Sequence, residues 1–181
     1  MGELKEERLS EELVRSNIPL ILNSYEDLFS DFDPRSFAER ALSDDFLLEC
    51  KKAVIDKEEG LELIFAVPRN KRSITDETKI KKRLKDHFRK HHLVKEDEIK
   101  TLKKIGWSWV GIGVLILVGV IYGSLTISNT FFQAVIAIFE IPSWFLVWEG
   151  LGKVFIDSKK KQPDQEFYHK MASATISFRS Y

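Results

Sequence analysis

The sequence predicts an α+β cytosolic domain interrupted by a two-helix transmembrane hairpin, and three observations lead there. Residues 105–125, IGWSWVGIGVLILVGVIYGSL, form an uncharged apolar run of about the 20 residues a helix needs to cross a bilayer. A second apolar run, 131–155, follows after only five residues, TISNT, which forces two antiparallel helices. The terminal stretch TISFRSY has strand character, and a lone strand is not stable, so it is expected to return to strands placed before the hairpin.

Charge sets the expected orientation. The 28 basic and 28 acidic residues cancel, yet the signs are sorted along the chain. From Met1 to Gly60 acids outnumber bases 16 to 8, whereas from Leu61 to Lys104 bases outnumber acids 14 to 7. Lys100, Lys103 and Lys104 precede the first run, Lys159, Lys160 and Lys161 follow the second, and the turn between them has no Lys or Arg. By the positive-inside rule this is a multi-pass protein of the cytoplasmic membrane with both termini cytosolic. Trp107, Trp109 and Trp148 fall near the inner ends of the spans, where amphipathic rings favour the interface. The N-terminus lacks the apolar core of a signal peptide, so the internal runs are expected to drive insertion. Cys50 is the single cysteine, which excludes an internal disulfide.

Taken in order, residues 1–15 read as a charged helical arm. The cytosolic segment 16–104 opens with IPLILN, an edge strand by its Pro19. DPRS resembles a helix start, with Asp33 as cap and Pro34 at the first helical position. Ser43 ahead of Asp44 and Asp45 gives a second start, and Phe46, Leu47, Cys50 and Val54 recur at helical spacing before Gly60. LELIFAVP is a strand closed by Pro68. Ser73 and Asp76 then open a basic helix with a narrow apolar stripe, Ile80, Leu84 and Phe88. Residues 93–104 either carry this helix onward or hinge at KEDE. The hairpin occupies 105–155, and the tail 156–181 completes the α+β domain with a helix after Pro163 and the final strand.

Within the second span, Glu140 lies about 13 Å below the outer end at about 1.5 Å per residue, near the bilayer centre. At that depth the first span has only Leu115 to Leu117, so the hairpin offers Glu140 no partner, and an unpaired charge there costs at least about 2.5 kcal/mol. Three escapes are open: Glu140 is protonated, it faces another copy of the chain, or the span is broken near EIPS, where Pro142 frees the carbonyl of Ile138 to accept a hydrogen bond from a protonated Glu140. Gln133 is nearer the outer end, within reach of Tyr122. Glu149 has Lys153 four residues on, a favourable helical ion pair. Gly119 and Gly123 form a small-xxx-small spacing that lets helices approach closely, and a homo-oligomer is expected.

The basic helix, through Lys79, Lys81, Lys82, Arg83, Lys85, Arg89 and Lys90, is expected to meet anionic headgroups of the bilayer rather than nucleic acid. No metal or cofactor is expected; the residues that would otherwise carry a metal are Asp31 and Asp33 of DFD, or His87 and His91, four apart on one helix face. The histidines lack the glutamate of a protease motif, and the acids lack a phosphate- or calcium-loop spacing. Nothing reads as a nucleophile constellation.

The segments ILNSYEDLFSDFDPRSFAERALSDDFLLE, VPRNKR and KKKQPDQEFYHKM resemble a family of uncharacterised small prokaryotic membrane proteins with two spans flanked by cytosolic segments. The resemblance implies a maintained cytosolic module and brings no activity or ligand. The expected function is therefore a membrane-anchored interaction or regulatory module with a cytosolic or membrane protein partner. The alternatives are a small oligomeric channel or transporter subunit using Glu140, and a membrane-surface metal-binding protein or enzyme.

Overall fold

The structure, a computed structural model, describes residues 17–55, 57 and 60–181, so the expected arm at 1–15 lies outside the described residues. The chain is mostly helical with a small parallel sheet. In order it forms β1 (Asn17–Ile21), α1 (Asp44–Val54), β2 (Glu62–Val67), α2 (Ile74–Thr126), α3 (Thr130–Ile138), α4 (Glu140–Leu151), a π-helical turn (Gly152–Asp157), α5 (Ser158–Ser173) and β3 (Thr175–Ser180). It divides into two compact units: one holds the described residues up to Leu93 with Glu166–Tyr181, the other holds Val94–Gln165.

In the first unit the three expected strands pair in the order β1-β2-β3, all parallel. Parallel neighbours cannot be joined by a tight turn, so each connection must be a crossover. The first crossover contains α1. The second leaves β2, passes through every helix of the second unit and returns by α5 to β3, so the central strand and its edge neighbour are separated by the whole apolar segment.

Register aligns Ile18 with Leu63 and Ile176, and Leu20 with Phe65 and Phe178, so these side chains share one face of the sheet. Against it α1 contributes Phe46, Cys50 and Val54, α2 contributes Ile80, Leu84 and Phe88, and α5 contributes Phe167 and Met171. The expected stripe on α2 is wholly buried, each member at 0 % exposure. Phe65 meets Phe46 at 5.9 Å and Phe178 at 5.2 Å between ring centroids, and Phe88 meets Phe167 edge-on at 6.2 Å.

A buried polar tie fixes the start of α2. The Tyr25 hydroxyl donates to Glu77 Oε1 and accepts from the Ser73 N–H, both at 3.0 Å, while Arg72 donates to both carboxylate oxygens of Glu77 at 2.8 and 3.0 Å. The Arg72 guanidinium holds the Glu77 carboxyl below its ordinary range against the opposing effect of burial. The carboxylate also stands in the first turn of α2, where the helix dipole favours negative charge.

Several local expectations are corrected. No helix starts at Asp33: residues 34–41 form turns and bends, because the Asp33 carboxylate bonds Arg35 and the N–H of Ala41 at 2.7 Å instead of capping a helix. Phe29 then bridges to Leu42 antiparallel. Helix α1 begins after Ser43 as expected, without a cap bond from the serine side chain, and already ends at Val54. Gly60 instead supplies a left-handed turn, φ 86°, into β2. Residues 93–104 carry α2 onward, with Glu96 paired to Lys100 and Glu98 to Lys95 and Lys161. Helix α5 starts before Pro163 and runs through it.

Candidate functional site

The second unit holds the apolar helices, and both are long and apolar enough to cross a membrane. Only 11 % of the most apolar stretch of α2 is buried, and 6 % of that within Thr130–Ser173. What burial there is comes from close backbone approach. A Cβ at Gly106 would stand 2.7 Å from the Gly150 carbonyl oxygen, one at Gly150 2.6 Å from that of Gly106, and one at Gly113 2.8 Å from that of Ser143. Gly123 faces Ile136, whose Cδ1 lies 2.8 Å from the same position. These pairings run antiparallel. Of the two glycines expected to seat a helix, Gly119 has open space around it. The sequence reading missed Gly106, Gly113 and Gly150, although Gly106 and Gly113 stand seven residues, two turns, apart and so share a face.

The second apolar run is not one helix. It breaks at Phe139, between α3 and α4, three residues before Pro142, which has no N–H to bond the carbonyl four residues back. Beside the break, the N–H and the hydroxyl of Ser143 both donate to the Phe139 carbonyl, at 3.2 and 2.5 Å. Ser143 is fully buried, and its own carbonyl is the atom that approaches Gly113. Proline, serine and glycine thus form one packed constellation in which the Glu140 carboxyl takes no part. Glu140 is exposed and has no partner among the described residues.

Several other polar groups of this unit have partners. Gln133 donates to the Ile127 carbonyl at 2.8 Å rather than reaching Tyr122, and Asn129 caps α3 by accepting from the N–H of Phe131 at 2.9 Å. Glu149 pairs with Lys153 at 3.0 Å, and the same ammonium lies 5.2 Å from the centre of the Trp109 ring. Glu98 bonds Lys161 at 2.7 Å, and the two lysines around it, Lys161 first, lower its carboxyl below the ordinary range.

In the first unit, the four histidines meet where α2 and α5 lie together. His87 and His91 are 4.3 Å apart between ring centres, His91 stacks on Tyr168 at 5.2 Å, and His92 meets His169 at 4.9 Å. Among the described residues no group of three or more His, Cys, Asp or Glu is placed to hold a metal. Asp31 is exposed, and Asp33 closes its own loop with Arg35. Cys50 is fully buried, and burial pushes its thiol up to about 12, so it has no reactive thiolate.

Burial pushes His87 down to about 4, helped by charge on His91, Arg83 and Lys90. Its folded value lies below the unfolded one, so the unfolded chain binds more protons at intermediate pH. Its neutral-state stability is complete above about pH 6.5 and is lost as pH falls toward 4. Replacing His87 with Leu should flatten urea-unfolding stability over that window by on the order of 1–3 kcal/mol; an unchanged pH profile would show that the ring does not titrate as its burial requires.

The basic residues of α2 separate into two groups. Lys79 pairs with Asp76, Lys81 lies 5.6 Å from the Phe178 ring centre, and Arg83 donates to the Arg40 carbonyl at 2.9 Å. Lys82, Lys85, Arg89 and Lys90 are exposed. A shallow groove of about 410 Å³ between β1 and α1 has Glu49 and Lys52 at its rim, bonded to each other at 2.8 Å, and no convergent reactive groups. Comparison with protein-family models, curated proteins and solved structures finds no match to the chain.

Proposed function

We propose that the protein is an integral protein of the cytoplasmic membrane in which α2 and the α3–α4 segment insert as a hairpin and hold the parallel-sheet domain at the cytosolic surface as an interaction or regulatory module. The observation that carries this reading is how little of the apolar helices is covered: a soluble protein would bury such a stretch, whereas here only 11 % and 6 % of the two are buried. Topology supports it independently. Strand β2 leads into the hairpin and β3 receives the chain from it, and both belong to one sheet, so the hairpin must enter and leave on the same side. The lysines at 100, 103 and 104 and at 159–161 make that side cytosolic by the positive-inside rule.

On this reading the chain belongs with the two-span family it resembles, and the sheet domain meets a protein partner rather than a substrate. On the same reading the exposed bases Lys82, Lys85, Arg89 and Lys90 meet anionic headgroups.

The test is labelling of intact cells with a membrane-impermeant maleimide in a Cys50→Ser background, with alkaline carbonate extraction alongside. Ser128→Cys, in the turn, is expected to label from outside, and Ser36→Cys, in the sheet domain, only after lysis. Release of the protein by carbonate, or external labelling of Ser36→Cys, overturns the reading.

A further inference from the structure

The inference here rests on the membrane reading and concerns Glu140, a carboxyl of the hairpin without a partner among the described residues. Glu140 is exposed beside Ile141, 78 % exposed, and Trp144, 49 % exposed, one helical turn on. Three sources of a partner within the chain fail. The Ile138 carbonyl, which Pro142 leaves free, receives no bond from Glu140 in the structure, while Ser143 serves the neighbouring Phe139 carbonyl. Helix α2 carries no polar side chain from Val114 to Ile121, the stretch between its contacts with Ser143 and Ile136. The aqueous surface lies about 13 Å away along the helix, beyond the reach of a glutamate side chain.

A carboxyl that carries its proton has one donor and one acceptor set side by side. Its complement is another carboxyl in the inverted orientation, which a two-fold axis supplies when identical surfaces meet. We propose that two copies of this chain associate in the bilayer through the outward side of α4, with Glu140 of each hydrogen-bonded to Glu140 of the other and Ile141 and Trp144 packed around the pair. The same contact is the precondition of any conducting path through Glu140, because one hairpin encloses no lumen.

The experiment uses the full-length protein in phospholipid vesicles, with Cys50→Ser as background so that an introduced thiol is the only one. Oxidative cross-linking at Ile141→Cys is expected to give dimers, and at Leu115→Cys, which is 73 % exposed on α2, few. Adding Glu140→Leu should lower the dimer fraction about ten-fold at fixed protein-to-lipid ratio, the scale of an interhelical hydrogen bond in lipid. Adding Glu140→Gln, whose amide is also donor and acceptor, should preserve it. Equal cross-linking at the two positions, or dimers that ignore Glu140→Leu, overturns the proposal while leaving the anchor reading intact. Release of the protein from the vesicles by alkali removes both.

Discussion

A chain ending at Gln165 loses the fold of its sheet domain although every residue from β1 to Leu93 is still present. The missing segment supplies Phe167, Met171, Ile176 and Phe178, all in the core, together with β3, the parallel partner of the central strand over Glu62–Val67. Four large buried side chains at about 1.5–3 kcal/mol each rival the whole stability of a domain, about 5–15 kcal/mol. The removal also leaves one side of β2 without its ladder and uncovers Phe65 and Phe88. Hydrogen exchange on the membrane-embedded protein checks this: amides of β2 and α1, protected in the full chain, should exchange at near-unfolded rates in the truncated one. Retained protection in β2 would mean that the segment before the hairpin folds alone and that the tail only decorates it.

Replacing Gly150 with Val separates the two apolar helices. The introduced Cβ would fall 2.6 Å from the Gly106 carbonyl oxygen and 2.9 Å from the Val110 nitrogen, and both are backbone atoms of a helix, unable to swing aside as a side-chain tip does. Overpacking of this kind costs about 1–3 kcal/mol where the neighbour can shift, and more where it cannot. Gly119→Val is the matched control, because that position opens on free space. Thermal unfolding in detergent micelles should show a midpoint lowered by several degrees for Gly150→Val, on the scale of about 2–4 °C per kcal/mol for chains of this size, and little change for Gly119→Val. Equal midpoints would show that the helices do not pack through Gly106 and Gly150.

The elements that were legible in the sequence share one property: their signal is local and periodic. Ile80, Leu84 and Phe88 mark a buried stripe by spacing alone, and the structure buries all three completely. The strand signals at IPLILN, LELIFAVP and TISFRSY each fall on one of the three strands that form, Asn17–Ile21, Glu62–Val67 and Thr175–Ser180. Glu149 and Lys153 pair because four residues of helix put them on one side. Failures occurred where a local signal competed with a distant partner. Asp33 has the chemistry of a helix cap, yet the loop brings the N–H of Ala41 to its carboxylate. Gln133 turned to the Ile127 carbonyl, since a backbone acceptor in the adjoining turn outcompetes a tyrosine on the other helix. Gly119 and Gly123 satisfied a spacing rule, but which glycines touch depends on how the two helices are rotated about their axes, and α2 presents Gly106, Gly113 and Gly123.

By itself the sequence determined that the chain has two apolar helices joined by a short turn, flanked by lysines, with strands on both sides. Those features depend on composition and on distances along the chain, which covalent geometry fixes. The tertiary structure decided that the strands are parallel, so that the apolar pair is the crossover between β2 and β3. It also decided that Ser143 beside Pro142 bonds the Phe139 carbonyl and is buried, while Glu140 is left exposed. Both depend on which distant segments come together: Ser143 is buried where its carbonyl approaches Gly113 of the other helix, whereas Glu140 stays exposed.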